Sequence, residues 1–312
     1  MRADRQRRAA GLTGASARLV AAVIPVIAVC AGVGAAVAGG TGAVLGVVVA
    51  GLLLAAVGTY GDRLALSAML ARPVSEVEHP ELYRLVRELS KGGRLPVPRL
   101  YLSPAGQPNS FTVGRSRRTA AVCCTQGLLA SLDETELRGV LGHELAHVSG
   151  RDMLPATMSA GLATVITFPA GLARLLPTHA GTGAASPAAP GSAAGPGPAA
   201  AGLGLVEASL MLVLGPVAAL IIRLSVTRAR EYRADAAGAL LAGDPVALAS
   251  ALRTIESGTT ELALAPDARL CSVGHLMIAS PFRAEGFARL FRTHPPAGER
   301  VRRLEALAGY RR

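Results

Sequence analysis

From Leu19 to Gly61 the chain runs 43 residues without one charged side chain, a stretch that limits every fold open to it. A helix crossing the hydrocarbon core takes about 20 apolar residues, so this run holds two crossings. Gly39-Gly40-Thr41-Gly42 divides it, giving expected spans at 19–38 and 43–60. Arg2, Arg5, Arg7, Arg8 and Arg18 precede the first span, and Arg63 and Arg72 follow the second. Arginine collects on the cytoplasmic side of membrane proteins, so both ends of this hairpin are expected in the cytoplasm. A cleaved signal peptide is the competing reading, and the second span, almost touching the first, disfavours it.

A second apolar pair is expected at 154–173 and 203–222, the first of the two diluted by Thr157, Ser159, Thr164 and Thr167. Between them, 177–202 consists largely of Ala, Pro, Gly, Ser and Thr without Asp, Glu, Lys or Arg, a tether with no core of its own. Its lack of arginine places it outside, while Arg223, Arg228 and Arg230 return the chain to the cytoplasm. The expected organisation is a basic N-terminus (1–18), a transmembrane hairpin (19–61), the first part of a catalytic domain (62–152), a second hairpin (153–224) and the second part of that domain (225–312). The fold class is α+β, mostly helical, with a small β-sheet and four transmembrane helices in two hairpins.

Composition removes some functions. The net charge of +11 suits a nucleic-acid partner, yet many of the arginines flank apolar segments, so no nucleic acid is expected. The four cysteines, Cys30, Cys123, Cys124 and Cys271, form no C-x-x-C pair and read as reduced, mostly buried thiols, as in a cytoplasmic domain. In the soluble parts, Leu82, Leu85, Val86 and Leu89 share one face of a helix that Gly92-Gly93 stops. Strands are expected at Arg99–Leu102, Ser110–Val113 and Thr119–Cys124. Asp133 and Glu136 have the spacing of a capping box for a helix running to about Gly150, and Asp244-Pro245 starts another.

That capped helix carries His143-Glu144-Leu145-Ala146-His147. Residues four apart share a helix face, so both imidazoles can reach one metal ion. Glu144 is turned about 100° around the axis, beside the metal, as a general base requires. A catalytic zinc takes three protein ligands and keeps one position open. Glu231, within Arg230-Glu231-Tyr232-Arg233-Ala234-Asp235, is the candidate third ligand, and Asp235, one turn on, can accept the second N–H of a ligating histidine. Alone, these two acids would read as a solvated helix face.

The matching segments extend further: Pro108-Asn109-Ser110-Phe111, Leu141–Val148, Gly150-Arg151-Asp152, Ser280-Pro281-Phe282 and Thr293-His294-Pro295-Pro296-Ala297-Gly298-Glu299-Arg300. From about residue 70 onward the chain resembles the HtpX-type membrane metalloproteases, relatives of the CaaX-prenyl endopeptidases. The resemblance implies one zinc ion per chain, held by His143, His147 and Glu231, with Glu144 as general base. It implies that His294 and Arg300 approach the substrate carbonyl. It also implies that an extended substrate pairs along the Ser110–Val113 edge strand, touching Asn109, Ser110 and Phe111. The expected substrates are damaged or unfolded membrane proteins, cleaved at the cytoplasmic face of the cell membrane as part of a stress response. The tether at 177–202 departs from the family pattern. Two other readings remain: intramembrane proteolysis, disfavoured by the charges at Asp133–Glu136 and Arg151-Asp152, and a metal-binding sensor or scaffold without turnover.

Overall fold

A computed structural model describes residues 2–150, 153–173, 205–225, 227–283, 285–291 and 293–309; the tether at 177–202 and the Arg151-Asp152 pair lie outside them. Helix α1, Arg2–Ala68, is interrupted at Ala38 and Gly39, where Gly39 takes φ +58°. There the chain turns back on itself. A Cβ on Gly34 would lie 2.0 Å from the carbonyl oxygen of Gly42, and one on Gly46 would lie 2.2 Å from that of Cys30. Backbone meets backbone across the two arms, a closeness that only glycine permits. Many apolar side chains of α1 face outward, among them Val33, Val44, Leu45 and Leu52, as a lipid-facing surface would.

The chain then forms strand β1 (Arg72–Pro73), helix α2 (Pro80–Gly92), and strands β2 (Arg99–Ser103), β3 (Ser110–Val113) and β4 (Ala121–Thr125). The sheet order is β1-β2-β4-β3, with β2 and β4 parallel and the outer pairs antiparallel. Helices α3 (Gln126–Ser131) and α4 (Glu134–Gly150) follow, then α5 (Met153–Ala173), α6 (Leu205–Ser225), α7 (Arg228–Ala242), α8 (Pro245–Glu261), α9 (Ala268–Val273) and α10 (Ala297–Gly309).

Both faces of the sheet are covered. Leu100, Leu102, Val122 and Cys124 face a core shared with α2, α4, α8 and α10. Phe111, Val113, Ala121 and Cys123 face Ala65 and Leu66 of α1, Met69 just beyond it, and Ala160 of α5. The catalytic domain is thus packed directly on the second arm of α1. Cys123 and Cys124 belong to opposite faces, the expected outcome of side-chain alternation along a strand, and both are free thiols. Burial pushes the Cys124 thiol up to about 12.

Local signals were sound. Glu136 N–H donates to Asp133 Oδ1 at 2.8 Å and Asp133 N–H to Glu136 Oε2 at 3.3 Å, the reciprocal capping box. Asp244 Oδ1 accepts from the N–H groups of Val246 and Ala247. Two expectations meet the structure differently. Among the described residues, α1 has a stretch long and apolar enough to cross a bilayer by itself, which supports the expected four spans in part. The apolar part of α5 is shorter, Met153–Phe168, and the helix is buried between α1, α6 and α9. Its polar residues are satisfied by protein: Thr157 accepts from Gly114 N–H at 3.1 Å, Ser159 meets His275 at 3.0 Å, and Thr164 donates to Ser272 at 2.9 Å. Apolar surface is instead presented by α6, through Leu212, Val213, Val217 and Leu220.

The second expectation concerns β3 and is corrected. It is the last strand of the sheet, yet its outer edge is taken by the chain itself. Phe111 forms an antiparallel bridge with Met277, and Ile278 N–H donates to the Ser110 carbonyl at 2.9 Å. Asn109 Nδ2 donates to Ala279 O at 3.0 Å, and Phe111 is buried in the core. Asn109, Ser110 and Phe111 therefore do not offer an open edge to a substrate in this conformation.

Candidate active site

Two helices, α4 and α7, carry the chemistry, and two glycines set their distance. A Cβ on Gly142 of α4 would stand 2.6 Å from the Gly238 carbonyl oxygen of α7, and one on Gly238 would stand 2.5 Å from the His143 nitrogen. The helices touch backbone to backbone, next to His143 on α4 and within two turns of Glu231 and Asp235 on α7. This contact brings His143 and His147 to Glu231.

His143 Nε2 and His147 Nε2 stand 3.2 Å apart, with the rings nearly perpendicular at 89°. Each lies 4.0 Å from an oxygen of Glu231. All three ligand atoms fall within 4.8 Å of one another. Two nitrogens bound tetrahedrally to zinc at its usual bond length would be about 3.3 Å apart. His143 Nδ1 lies 2.9 Å from Asp235 Oδ1, so Nδ1 carries the proton and the Nε2 lone pair faces the point of convergence. Two imidazoles and a carboxylate, oriented in this way, fit a divalent metal.

Glu144 is buried beside the histidines, where burial raises its carboxyl above the usual range. Both of its oxygens are engaged from β3: Ser110 Oγ donates to Oε1 at 2.7 Å and Thr112 Oγ1 to Oε2 at 2.6 Å. Strand alternation puts these two hydroxyls on the same face, with Phe111 on the other. The sequence reading missed Thr112; its i, i+2 relation to Ser110 on a strand was the available signal.

His294 Nδ1 lies 3.2 Å from Glu231 Oε2, and His294 Nε2 is buried without a hydrogen-bond partner among the described residues. Arg230 Nε donates to the other Glu231 oxygen at 3.2 Å. Burial pushes the Glu231 carboxyl up. The hydrogen bond and charge of His294, with His147 and Arg230, outweigh burial and hold it well below the ordinary carboxylate range.

Arg300 is engaged behind the histidines. Its Nε and Nη2 donate to the two oxygens of Asp235 at 2.8 and 2.6 Å, and its Nη1 donates to the Ile278 carbonyl at 2.6 Å. The bidentate pair is buried, and it overcomes the upward push of burial to keep Asp235 ionised. A relay results, from Arg300 through Asp235 to His143. A cavity of about 460 Å3 opens beside it, lined by His294, Pro296, Ile278, Ala279, Leu252 and Thr259, among others.

A capped helix bearing two histidines and a glutamate, an acid from a neighbouring helix and a buried relay behind them define a metal-dependent peptidase. The family model for Peptidase family M48 matches residues 76–308, and the chain belongs to that family. It is 51% identical over 272 residues to a "Protease HtpX homolog" of Kineococcus radiotolerans, covering 87% of this chain and 88% of that protein. Proteins described in the same words from Paenarthrobacter aurescens and Thermococcus kodakarensis are 45% and 39% identical, over 90% and 80% of this chain and 92% and 81% of theirs.

Proposed function

We propose that the protein is a zinc-dependent endopeptidase of the cell membrane that cleaves damaged or unfolded membrane proteins from the cytoplasmic side. The convergence of His143, His147 and Glu231, with Glu144 beside them, carries this reading. His143, His147 and Glu231 would hold the ion, a set typical of catalytic zinc. When bound, zinc supplies Lewis acidity and lowers the pKa of water at the site. Glu144 accepts the proton of the attacking water, and burial, which raises its carboxyl, favours that uptake. Ser110 and Thr112 fix the carboxylate in one orientation. The unpartnered Nε2 of His294, once protonated, donates to the oxygen that becomes negative during attack, while Nδ1 stays on Glu231. Arg300 and Asp235 act behind His143, holding its tautomer.

The membrane reading supposes the two hairpins of the sequence, with α5 and α6 as the second. Arginines flank each pair, which supports a cytoplasmic position for the catalytic segments. The cavity beside His294 is the space for a substrate side chain, since the β3 edge is filled.

Two substitutions separate the ligand from the base. Glu144→Gln keeps shape and removes only the proton acceptor, so zinc content stays near one per chain while peptide cleavage collapses. Glu231→Ala deletes a ligand, so zinc and activity fall together. Metal analysis and casein cleavage on the same detergent preparations decide the matter. Stoichiometric zinc and normal cleavage in Glu231→Ala would overturn the proposed centre.

A further inference from the structure

The uncharged run of α1 ends at Tyr60-Gly61, and Asp62 and Arg63 follow. Tyr60 is half exposed and its ring lies under the Arg63 guanidinium, 5.6 Å away. A tyrosine at the end of an apolar span marks the headgroup layer. The turn joining β3 to β4, Gly114-Arg115-Ser116-Arg117-Arg118, is held at that same level by two independent ties. Thr157 of α5 takes the Gly114 N–H at 3.1 Å, and the same threonine lies against Gly61, whose added Cβ would meet it at 3.2 Å. Arg99 Nη2 bridges Asp62, at 3.0 Å, to the Thr119 carbonyl, also at 3.0 Å.

The turn is also rigid. Thr119 Oγ1 accepts the N–H groups of Arg115 and Ser116 at 3.2 and 3.1 Å, and Arg117 Nη2 donates to the Ser149 carbonyl at the end of α4. Arg115 and Arg118 are exposed, as is Arg63 across the boundary. None of these three pairs with an acid among the described residues. Asp62, the acid at this level, is engaged by Arg99. A fixed turn that carries exposed guanidinium groups without an acid partner among the described residues has the chemistry to bind phosphodiesters, since arginine binds such oxygens in a bidentate fork.

We propose that the β3–β4 turn, through Arg115 and Arg118, is a binding surface for anionic phospholipid headgroups. It would dock the membrane next to β3, the strand whose Ser110 and Thr112 hold Glu144. The inference rests on the membrane placement of α1 and is independent of zinc. Each arginine close to an anionic membrane surface favours it by about fivefold, so Arg115 and Arg118 together give up to roughly thirtyfold.

The test uses full-length protein in phosphatidylcholine vesicles carrying trace spin-labelled phosphatidylglycerol or spin-labelled phosphatidylcholine at low ionic strength. Wild-type protein should immobilise the anionic label several-fold more than the neutral one. Arg115→Gln/Arg118→Gln should lose most of that preference with zinc content unchanged, whereas Arg115→Lys/Arg118→Lys should keep most of it. Arg253→Gln, on α8 in an ion pair with Glu305, should behave as wild type. An equal preference in wild type and the Gln double variant overturns the proposal, as does no preference in either. Displacement of the label by millimolar glycerol phosphate would make the turn a soluble-phosphate site and would overturn it too. Protein that stays dispersed without detergent would instead remove the membrane placement of α1.

Discussion

Replacing Arg300 by Met separates two roles that the same residue could play. The arginine is fully enclosed and makes two hydrogen bonds to Asp235, one to the Ile278 carbonyl and a longer contact, 3.5 Å, to His143 Nδ1. Met fills a similar length and provides no charge, so Asp235 would remain as a lone buried carboxylate. Breaking a buried pair in this way costs about 3–5 kcal/mol. Protonation of Asp235 relieves much of that cost, because the arginine is what holds its carboxyl low against burial. A protonated Asp235 is a poor acceptor for His143 Nδ1–H, now 2.9 Å away. Loss of such an outer partner lowers metal affinity about 10–100-fold, equivalent to roughly 1.4–2.7 kcal/mol. The assay is competition of metal-free protein against a chromophoric zinc chelator, with peptide cleavage followed as zinc is added. Arg300→Met should bind zinc 10–100-fold more weakly and regain much of its turnover in excess zinc. Unchanged zinc affinity with turnover down about a hundredfold would refute the relay and return Arg300 to the substrate carbonyl.

Thr112→Val removes one of the two hydroxyls on Glu144; a hydrogen bond to a charged group contributes about 1.5–3 kcal/mol, so kcat should fall by roughly tenfold or more while KM and zinc content hold, and Thr112→Ser should restore most of it. His275 is buried with its pKa depressed from 6.5 to about 3, first by burial. The unfolded chain therefore takes up the proton first, so this contribution is complete above about pH 6.5 and is lost as pH falls toward 3, amounting to about 2 kcal/mol between pH 7 and pH 5. Circular-dichroism melts of chelator-treated protein should show His275→Gln losing about 4–8 °C less than wild type over that interval; parallel curves would show that His275 does not titrate on unfolding. For topology, a reporter active only outside the cytoplasm should work when fused at Ser192 and stay silent at Ser103, and the reverse pattern would move the site across the membrane.

The elements read correctly from the sequence were those whose causes are local. The Asp133–Glu136 box, the Asp244 cap and the α2 face all depend on residues within two turns. His143 and His147 needed only helical spacing, and Glu231 followed from a short downstream pattern. What escaped depends on contacts made far along the chain. The resemblance implied a place for Arg300 at the substrate carbonyl, and its pairing with Asp235 could not be read because the two lie on different helices. The edge of β3 looked open because its occupant, Met277–Ile278, lies beyond the second apolar pair and has no strand pattern of its own. Thr157, Ser159 and Thr164 read as dilution of a span; in the fold they are the groups that fasten α5 to Gly114, His275 and Ser272. Gly238 gave no signal at all, since a helix-helix contact is invisible until both helices are placed.

The order in which the ligands leave the ribosome has a consequence of its own. His143 and His147 emerge with α4, but Glu231 and Asp235 emerge only after α5 and α6, and His294 and Arg300 later still. A nascent chain that has made the H-E-x-x-H helix holds half a centre: two imidazoles, a base and no third ligand. The centre is complete only with Gly238 of α7 against Gly142 of α4. Because α5 and α6 separate the two halves of the domain along the chain, the third ligand cannot join the histidines until that apolar pair has been made, and an unfinished copy lacks a complete metal centre.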